Sequence, residues 1–324
     1  MLHERNLEKP QRIGFLLIPN FSMMCLLSAV EPLRVANRFA GGEAYRWHFL
    51  SADGRPVRAS NGMPIVTEAS IDAEPDLPVT AVVASEAPLA GADSRIFPWL
   101  RRLHRQGRDL GAFDTATYLL AEAGLLSGRH VTLHWEVLDA FREAHPDVDA
   151  RDVLFDVDGP IFTCSGGTAA LDLVLHLIGE HHSHELAVSV SEQFMHHEVR
   201  AADVHQRMPA DRRAGTHNRT LVQAVDVMER NAETPVGLAD VAAACGLTKR
   251  QLDRLFATHL GEPPLRHYLN IRLERARHLL SQTDMPVSEI GFACGFGSSA
   301  YFSRAYRRRY GHPPRAERAQ AAQA

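Results

Sequence analysis

Short apolar runs alternate with amphipathic stretches along the first half of the chain. Runs rich in branched and aromatic residues predict strands, and apolar positions that recur every three or four residues predict helices. The predicted strands are 12–18, 46–52, 80–85, 109–113 and 130–133. The predicted helices lie near 23–39, 94–106, 115–126, 135–144 and 168–180. This alternation predicts a parallel sheet covered by helices on both faces, which is an α/β sandwich.

The second half of the chain has helical periodicity only, and its pattern occurs twice. The stretch LADVAAACGLTKRQLDRLF at 238–256 is similar to VSEIGFACGFGSSAYFSRAY at 287–306. Between the two copies, Cys-Gly recurs after 49 residues and the later Arg after 50. A repeat of this kind indicates a duplicated structural unit.

Each copy has the pattern of a helix-turn-helix. A short helix is predicted to end at a glycine with positive φ, followed by a buried Leu247 in the first copy and a buried Phe296 in the second. A second helix is then predicted to begin at Thr248, or near Ser298–Ser299, where a hydroxyl can cap it. The second half is therefore predicted to be an all-α domain of two helix-turn-helix units.

A long helix is predicted between the two copies. Apolar residues recur there at helical spacing, namely Leu265, Leu269, Leu273, Ala276 and Leu280. Such a helix would hold the two copies at a fixed separation. Two second helices about one DNA turn apart, ~34 Å, can enter successive major grooves on one side of a duplex.

The second helix of each copy is predicted to have a polar face opposite its apolar one. The candidate DNA-contacting residues on these faces are Lys249, Arg250, Arg254, Ser299, Ser303, Arg304 and Arg308. Lysines and arginines neutralise phosphates, and Arg250, Arg254 and Arg304 are candidates for reading guanine edges. The alternative is the solvated surface of a helical bundle. A similar polar face repeated on two similar units favours double-stranded DNA as the partner.

Charge is distributed unevenly between the two halves. Residues 1–214 hold 20 Lys and Arg against 29 Asp and Glu, a net charge of −9. Residues 215–324 hold 15 against 10, a net charge of +5. A basic second half is consistent with a polyanionic partner.

A polar stretch separates the two halves. The sequence RMPADRRAGTHN at 207–218 contains Pro and Gly and lacks apolar periodicity, so it predicts a linker. The predicted organisation is an α/β domain at 10–205, a linker at 206–218 and a DNA-binding domain at 219–318.

Composition disfavours several classes of protein. The stretch MLHERNLEKPQR lacks the apolar segment of a signal peptide, and runs such as Ile13–Ile18 are too short to span a bilayer. The four cysteines are scattered without metal-ligand spacing, which predicts reduced thiols. We therefore expect a cytoplasmic protein with no membrane segment, no metal and no cofactor.

Residues 220–316 resemble the DNA-binding domain of AraC/XylS-type transcription regulators over its whole length. The residues that carry the resemblance are CGFGSSAYFSRAYRRRYGHPP at 294–314 and RLERARHLL at 272–280. The resemblance implies binding to asymmetric promoter half-sites, recruitment of RNA polymerase and, by default, activation of transcription.

Residues 11–200 are similar to the PfpI/ThiJ, class I glutamine amidotransferase-like domains that precede AraC-type domains in one group of regulators. The matching stretches are FSMMCLLSAVEPLRVANR (21–38), ASNGMPI (59–65), DTATYLLAEAGLLSGRHVTLHWE (114–136) and FTCSGGTAALDLVLHLI (162–178). The resemblance implies a flavodoxin-like parallel sheet. Within the group, SAVEPLRVAN and ASNG are most similar to regulators of carnitine, glycine betaine and arginine catabolism, which implies a quaternary amine or an amino acid as effector.

Asp114 follows the predicted strand 109–113 at the position where enzymes of this superfamily carry a nucleophilic cysteine on a sharp turn. Acyl transfer of the amidotransferase kind needs a thiolate-like nucleophile beside a base, which an aspartate does not supply. A fixed carboxylate at the carboxyl end of a parallel strand suits a cationic ligand instead. The structural alternative is a cap on a helix that begins at Thr115.

The candidate effector-binding residues are Asp114, Thr115, His134, Trp135, Glu31 and Asn61. His134 can lie beside Asp114 at the sheet edge, and Trp135 can offer a cation–π face to an ammonium group. Glu31 and Asn61 are expected at the rim of the pocket. No catalytic residue is predicted.

The sequence therefore favours a transcription regulator that responds to a small-molecule effector and binds promoter DNA as a homodimer. Two alternatives stay open: an enzyme of the amidase or hydratase type tethered to DNA, and an architectural DNA binder without a ligand. The aspartate at position 114 disfavours the enzyme. A sensor domain with no room for a metabolite would favour the architectural binder.

Overall fold

A computed structural model gives the fold of the chain. It describes residues 10–321 except 74–76, 86, 208–217 and 284. Contacts divide the chain into two units, Met1–Gln206 and Arg207–Ala324, referred to below as the N-terminal and C-terminal units. The predicted linker at 206–218 lies mostly outside the described residues, so the domain limits stay a prediction. Within the described ranges, no helix has the length and apolar character needed to cross a membrane.

The N-terminal unit alternates strands and helices, as predicted. Its strands are β1 (Gln11–Leu17), β2 (Tyr45–Ser51), β3 (Val57–Arg58), β4 (Pro64–Ile65), β5 (Ala69–Ser70), β6 (Val79–Val83), β7 (Asp109–Phe113), β8 (His130–Val131), β9 (Asp149–Ala150), β10 (Phe155–Asp158) and β11 (Ile161–Cys164). Its helices are α1 (Met23–Phe39), α2 (Ile96–Arg105), α3 (Thr117–Glu122), α4 (Trp135–Ala144), α5 (Ala169–His181) and α6 (His184–Gln193).

Seven strands form one sheet in the order β10–β11–β7–β6–β1–β2–β5. β10 pairs antiparallel with β11 and the other pairs are parallel, so the predicted parallel sheet is confirmed. The chain order reverses between β1 and β6, because β1 leads to β2 on one side and β6 leads to β7 on the other. Ligands of open α/β sheets bind at such a reversal, outside the carboxyl ends of the strands.

Apolar side chains cover the sheet on both faces. Helices α1, α5 and α6 supply one buried layer, and α2, α3 and α4 supply the other. Strands β6 and β7 are buried along their whole length, which explains why VTAVV and DLGAF do not alternate between apolar and polar residues. Gly111 in β7 is required by packing, since a Cβ there would lie 2.2 Å from the Phe162 ring of β11.

Two predictions for the N-terminal unit are wrong. The run 130–133 forms only the short β8, which pairs with β9 in a separate two-stranded sheet. Thr132 leaves the strand because its N–H donates to Thr163 Oγ1 at 2.8 Å. β11, which the sequence did not predict, takes the place beside β7. The helix predicted at 115–126 is the shorter α3, because Gly124, with φ of 71°, follows its end.

The C-terminal unit is helical over its described residues. Its helices are α7 (Arg219–Arg230), α8 (Leu238–Ala244), α9 (Lys249–Leu260), α10 (Pro264–Gln282), α11 (Val287–Ala293), α12 (Ser299–Tyr310) and α13 (Pro314–Ala321). Helices α8 and α9 form the first helix-turn-helix, and α11 and α12 form the second. The predicted all-α class with a duplicated motif is confirmed.

The two motifs use the same types of residue at the same places. Gly246 and Gly295 follow α8 and α11 with φ of 67° and 73°, which only glycine adopts without strain. Thr248 and Ser298 cap α9 and α12, each hydroxyl accepting a hydrogen bond from the backbone N–H three residues on. These caps agree with the predicted starts of both helices.

Helix α10 is the predicted long connection, and it is bonded to both motifs. Its 19 residues span about 28 Å. Tyr268 packs in the apolar cluster of the first motif with Val241 and Leu252, and its Oη donates to Asn231 O at 2.7 Å, just ahead of that motif. Arg272 Nε donates to Cys294 O at 2.9 Å, and its guanidinium lies 4.3 Å from the centre of the Phe296 ring. The helix therefore fixes both motifs through side chains one turn apart.

Leu265 matches the spacing of the predicted long helix but is 66% exposed, because α10 meets the apolar cluster around Leu252 and Phe256 through Tyr268 and Ile271 rather than through its first turn. Leu247, which was predicted to be buried, is only half-buried at the edge of the same cluster. Phe296, its counterpart in the second motif, is buried as predicted.

A buried carboxylate joins α10, α12 and α13. Glu317 of α13 accepts hydrogen bonds from Arg277 Nε and Tyr306 Oη, both at 2.9 Å. Burial alone would raise the pKa of Glu317, but these hydrogen bonds outweigh it and hold the pKa below its ordinary value. The stability that this carboxylate supplies is therefore present at neutral pH and is lost as the pH falls through its lowered pKa.

Candidate functional sites

The turn between β7 and α3 has an unusual backbone. Asp114 follows β7 directly and has φ of 65°, in the left-handed region that favours glycine. Its N–H donates to Cys164 O at 2.9 Å, which extends the contact between β7 and β11 by one residue. A non-glycine residue in this region costs roughly 1–3 kcal/mol and persists only where its surroundings impose it. The turn is thus a sharp elbow at the carboxyl end of a central strand.

The Asp114 side chain packs on a glycine of the turn between β11 and α5. A Cβ on Gly166 would lie 2.8 Å from Asp114 Cγ and 2.9 Å from its Oδ2, so only glycine fits there. Gly166 also has φ of 94°. Asp114 is 6% exposed, so a small part of its surface reaches the sheet edge.

Two cysteines close to this carboxylate keep their protons. Cys25, near the start of α1, and Cys164, at the end of β11, are fully buried. Burial raises the pKa of both thiols well above the ordinary value, and the negative charge of Asp114 adds to this effect. The thiolate is the reactive form of cysteine, so neither thiol is an activated nucleophile at neutral pH.

The elbow is tied to the place where the strand order reverses. Thr115 Oγ1 donates to Ser85 O, just beyond β6. Ser85 pairs with Phe21, just beyond β1, in an isolated antiparallel bridge. Ser60 N donates to Phe21 O at 3.0 Å, which brings the loop containing Asn61 to the same edge. Thr115 therefore lies at the position where ligands of α/β sheets bind.

His134 and Trp135 lie beside the elbow at the start of α4. The His134 N–H donates to Asp114 O at 3.3 Å. His134 is also the N-cap of α4, since its Nδ1 accepts a hydrogen bond from Glu136 N at 3.4 Å. The rings of His134 and Trp135 lie 5.6 Å apart. The residues that carry the imidazole and the indole thus follow a backbone contact with the elbow.

The other two predicted effector residues lie outside the elbow. Glu31 is in the third turn of α1, and its carboxylate accepts a hydrogen bond from Arg34 Nη2 at 2.6 Å. Asn61 is exposed, and its Oδ1 accepts a hydrogen bond from Met63 N at 3.0 Å within its own turn. Four of the six predicted residues therefore lie at the elbow, while Asn61 is in a loop bonded to the same edge and Glu31 pairs with Arg34 on α1.

The structural alternative, in which Asp114 caps a helix that begins at Thr115, is wrong. Helix α3 begins at Thr117, and Ala116 occupies its N-cap position without a side-chain hydrogen bond. Residues 114–116 form a turn that separates Asp114 from the helix. The positive φ of Asp114 accounts for this turn, because it is incompatible with continuing directly into a right-handed helix.

The turn between β11 and α5 lies against the elbow but is not among the predicted site residues. The pair of glycines in FTCSGG at 162–167 is the sequence feature that indicates this tight turn. Gly166 and Gly167 both have positive φ, 94° and 55°, and Asp114 packs against the first of them. A sequence pattern alone does not show which distant residue approaches such a turn.

In the C-terminal unit, the second helices of the two motifs present equivalent surfaces. Leu252 and Phe302 are fully buried. Two residues on, Arg254 and Arg304 are rotated by about 200° around their helices. Both arginines are exposed on the outward face.

The charged members of the predicted DNA-contacting set share this exposure. They are Lys249, Arg250, Arg254, Arg304 and Arg308. None of them forms a hydrogen bond or ion pair with a residue that the structure describes. By contrast, Arg272 and Arg277 of α10 are held in hydrogen bonds. Ser299 and Ser303 are half-buried on α12. Cations left unpaired by their own chain are available to phosphates.

Comparison with protein families matches both halves of the chain. Residues 12–180 match the DJ-1/PfpI family. Residues 241–320 match a helix-turn-helix domain. Because the first match covers more than half of the chain, this protein belongs to the DJ-1/PfpI family, with a DNA-binding motif following the family domain.

Similar proteins of known identity match nearly the whole chain. The HTH-type transcriptional regulator CdhR of Pseudomonas aeruginosa is 48% identical over 309 residues, covering 95% of this chain and 92% of that protein. The HTH-type transcriptional regulator GbdR of the same species is 45% identical over 309 residues, covering 95% and 84%. A solved AraC family transcriptional regulator from Pseudomonas putida has the same fold in one region, with a TM-score of 0.53, 24% identity, and coverage of 57% of this chain and 100% of its own. The protein is therefore a DNA-binding transcriptional regulator of the AraC family.

We expect Gly166→Ala to destabilise the N-terminal unit more than Gly167→Ala. Both glycines have positive φ, so each alanine strains the backbone, but only a Cβ at position 166 collides with Asp114. We expect free energies of unfolding to fall by about 2–4 kcal/mol for the first variant and by about 1 kcal/mol for the second. Urea titration of the full chain measures this by tryptophan fluorescence, because all three tryptophans lie in the N-terminal unit. Equal losses would contradict the packing of Asp114 on Gly166.

Proposed function

We propose that this DNA-binding regulator is controlled by a small cationic metabolite bound at the Asp114 elbow. The observation that carries the proposal is the strained backbone of Asp114, with φ of 65°. The elbow keeps this strain although its residue is an aspartate and not a nucleophilic cysteine. Strain of this kind clusters at functional sites. A carboxylate at the carboxyl end of a central strand attracts a positive charge, and the adjacent reversal of strand order is a favoured ligand site.

The neighbouring side chains favour an ammonium group on the effector. Trp135 offers an aromatic ring, whose face attracts cations. Thr115 and His134 border the same elbow and are the remaining proposed contacts. We infer that the effector is a quaternary amine or an amino acid. Glu31 and Asn61 would contribute only to the surroundings of such a ligand.

We infer that the N-terminal domain is not an enzyme. Asp114 stands where the related enzymes carry a nucleophilic cysteine. The nearby thiols of Cys25 and Cys164 keep their protons, because burial raises their pKa. Without a thiolate, the elbow supports binding better than acyl transfer.

The effector can act on DNA binding only if it binds one arrangement of the chain more tightly than another. Family membership supports three further inferences. The protein acts as a homodimer, it activates transcription by recruiting RNA polymerase, and it works in the cytoplasm, where its DNA target lies.

We propose that helices α9 and α12 are the recognition helices. The proposed DNA contacts are Lys249, Arg250, Arg254, Ser299, Ser303, Arg304 and Arg308. Arg254 and Arg304 occupy equivalent outward positions, from which an arginine can bind guanine O6 and N7. Lys249, at the start of α9, is the proposed phosphate contact.

Asp114→Asn is expected to weaken binding of a cationic ligand much more than binding of a neutral one. The substitution keeps the shape of the side chain and removes its charge. For choline, glycine betaine, carnitine or arginine, whichever stabilises the wild type, we expect Kd to rise roughly 10- to 100-fold. Thermal shift of the full chain measures this, since a ligand at 100 times its Kd adds about 2.7 kcal/mol of stability.

The matched control is Asp147→Asn, which removes the same charge from an exposed residue outside the elbow. The uncharged tert-butyl isostere of choline is the control ligand. If Asp114→Asn weakens the charged and uncharged ligands equally, the pairing of carboxylate and cation is disproved. If none of the four compounds, each of which carries an ammonium or guanidinium group, shifts the melting temperature of the wild type, the proposed effector class is wrong.

Arg254→Ala and Arg304→Ala are each expected to cost about 1–3 kcal/mol on a specific duplex and to relax the preference for one base pair. Lys249→Ala is expected to weaken binding to all sequences alike. The specific duplex is one selected from a random pool by the full chain, and fluorescence anisotropy measures its affinity.

Arg101→Ala is the matched control, because Arg101 is an exposed arginine of α2 in the other unit. It should leave DNA affinity unchanged. Unaltered binding by both Arg254→Ala and Arg304→Ala would show that the recognition helices are assigned wrongly.

A further inference from the structure

A segment without helix or strand leads from α6 to the end of the N-terminal unit. This segment, residues 194–206, is termed the strap. It runs back across the unit, where Ala202 O accepts a hydrogen bond from Leu154 N at 3.0 Å. It ends at Gln206, the last residue before the boundary with the C-terminal unit. The strap is therefore the covalent route from the DJ-1/PfpI domain towards the DNA-binding domain.

The first half of the strap is anchored on a buried carboxylate. Asp172 of α5 is fully buried. It accepts hydrogen bonds from Arg200 N at 2.9 Å, Nε at 3.0 Å and Nη2 at 2.6 Å, and His196 Nε2 lies 2.8 Å from its Oδ1. Breaking up a buried charge pair is strongly unfavourable, because it leaves an uncompensated charge. This end of the strap is fixed.

The last residue of the strap is held less firmly. Gln206 Nε2 donates to Thr132 Oγ1 at 3.1 Å and to Leu133 O at 2.9 Å. Its Oε1 is buried and has no hydrogen-bond partner among the residues that the structure describes. A buried carbonyl without a partner costs about as much free energy as the two hydrogen bonds contribute. The Gln206 backbone N–H adds a long hydrogen bond to Asp152 Oδ1 at 3.4 Å. This end of the strap is therefore held more weakly than the end at Asp172, so a small bias shifts its docking.

The residues that hold Gln206 also contact the elbow. Leu133 precedes His134, whose N–H donates to Asp114 O. Thr132 O accepts a hydrogen bond from Thr117 Oγ1 at 2.8 Å, at the start of α3. The turn 132–134 is thus bonded to the elbow on one side and to the strap on the other.

A second connection runs through the turn between β11 and α5. Ser165 is adjacent to Gly166, on which Asp114 packs. The Ser165 N–H and hydroxyl both donate to Leu154 O at 2.9 Å. Leu154 N in turn donates to the strap at Ala202 O. Two separate sets of hydrogen bonds therefore join the elbow to the strap.

We propose that docking of Gln206 on the turn 132–134 transmits occupation of the elbow to the DNA-binding domain. The proposal rests on the proposed function, because it takes Asp114 as part of the effector site. An effector that contacts His134 orders the turn on which Gln206 docks. Binding and docking then strengthen each other equally, as linked equilibria must.

Hydrogen exchange of the full chain, without added ligand, tests the coupling. Gln206→Leu removes the two hydrogen bonds together with the unpaired carbonyl at similar volume, so the unit should stay folded. We expect amide exchange at 113–119 and 131–136 to rise about fivefold or more. Gly166→Ala, whose Cβ displaces the Asp114 side chain, is expected to raise exchange at 200–206 by a similar factor, because coupling is reciprocal.

The matched control is Gln106→Leu, at an exposed glutamine beyond α2, which should change none of these segments. The proposal is overturned if Gln206→Leu affects only the strap and Gly166→Ala leaves the strap unchanged. It is equally overturned if exchange rises by one common factor throughout the unit, including β1, because that result means general destabilisation. No ligand is added, so this test is independent of whether a cation binds at the elbow.

Discussion

The contact between a carboxylate and a glycine organises the functional edge of the N-terminal domain. Asp114 keeps its positive φ because Cys164 O accepts its N–H and because Gly166 leaves room for its side chain. The carbonyl of the same residue then positions His134. One strained residue thus sets the relative placement of three turns, those after β7, β8 and β11. The binding site and the strap that leads away from it both depend on this arrangement.

The DNA-binding domain is organised differently, by repeating the same local structure in its two motifs. Each motif ends its second helix at a glycine in the left-handed region and then pairs a glutamate with a histidine. In the first motif Glu262 precedes His267, and in the second His312 precedes Glu317, with N–O distances of 2.8 and 3.3 Å. The two residue types exchange places between equivalent positions, so the same contact is made in both motifs. Helix α10 then fixes the two motifs through Tyr268 and Arg272.

Features encoded locally in the sequence were predictable. Apolar β6 and β7, the glycines after α8 and α11, and the capping hydroxyls of Thr248 and Ser298 each act within a few residues. Features that depend on residues far apart in the chain were not predictable from the sequence. Leu265 has the right spacing for burial, but the cluster meets α10 elsewhere. The approach of Gly166 to Asp114 and the docking of Gln206 join residues far apart in the chain. The spacing of apolar residues in the sequence therefore does not predict these contacts.

The most direct test of the account is the response of the tryptophan indole N–H resonances of the full chain to choline, glycine betaine, carnitine and arginine. Of the three tryptophans, Trp135 follows His134, whose N–H donates to the elbow, while Trp47 and Trp99 lie on β2 and α2. The account predicts that a stabilising cation shifts the Trp135 resonance and leaves those of Trp47 and Trp99 in place. A cation that stabilises the protein while the Trp135 resonance stays unchanged would contradict the account, because the effector would then bind elsewhere.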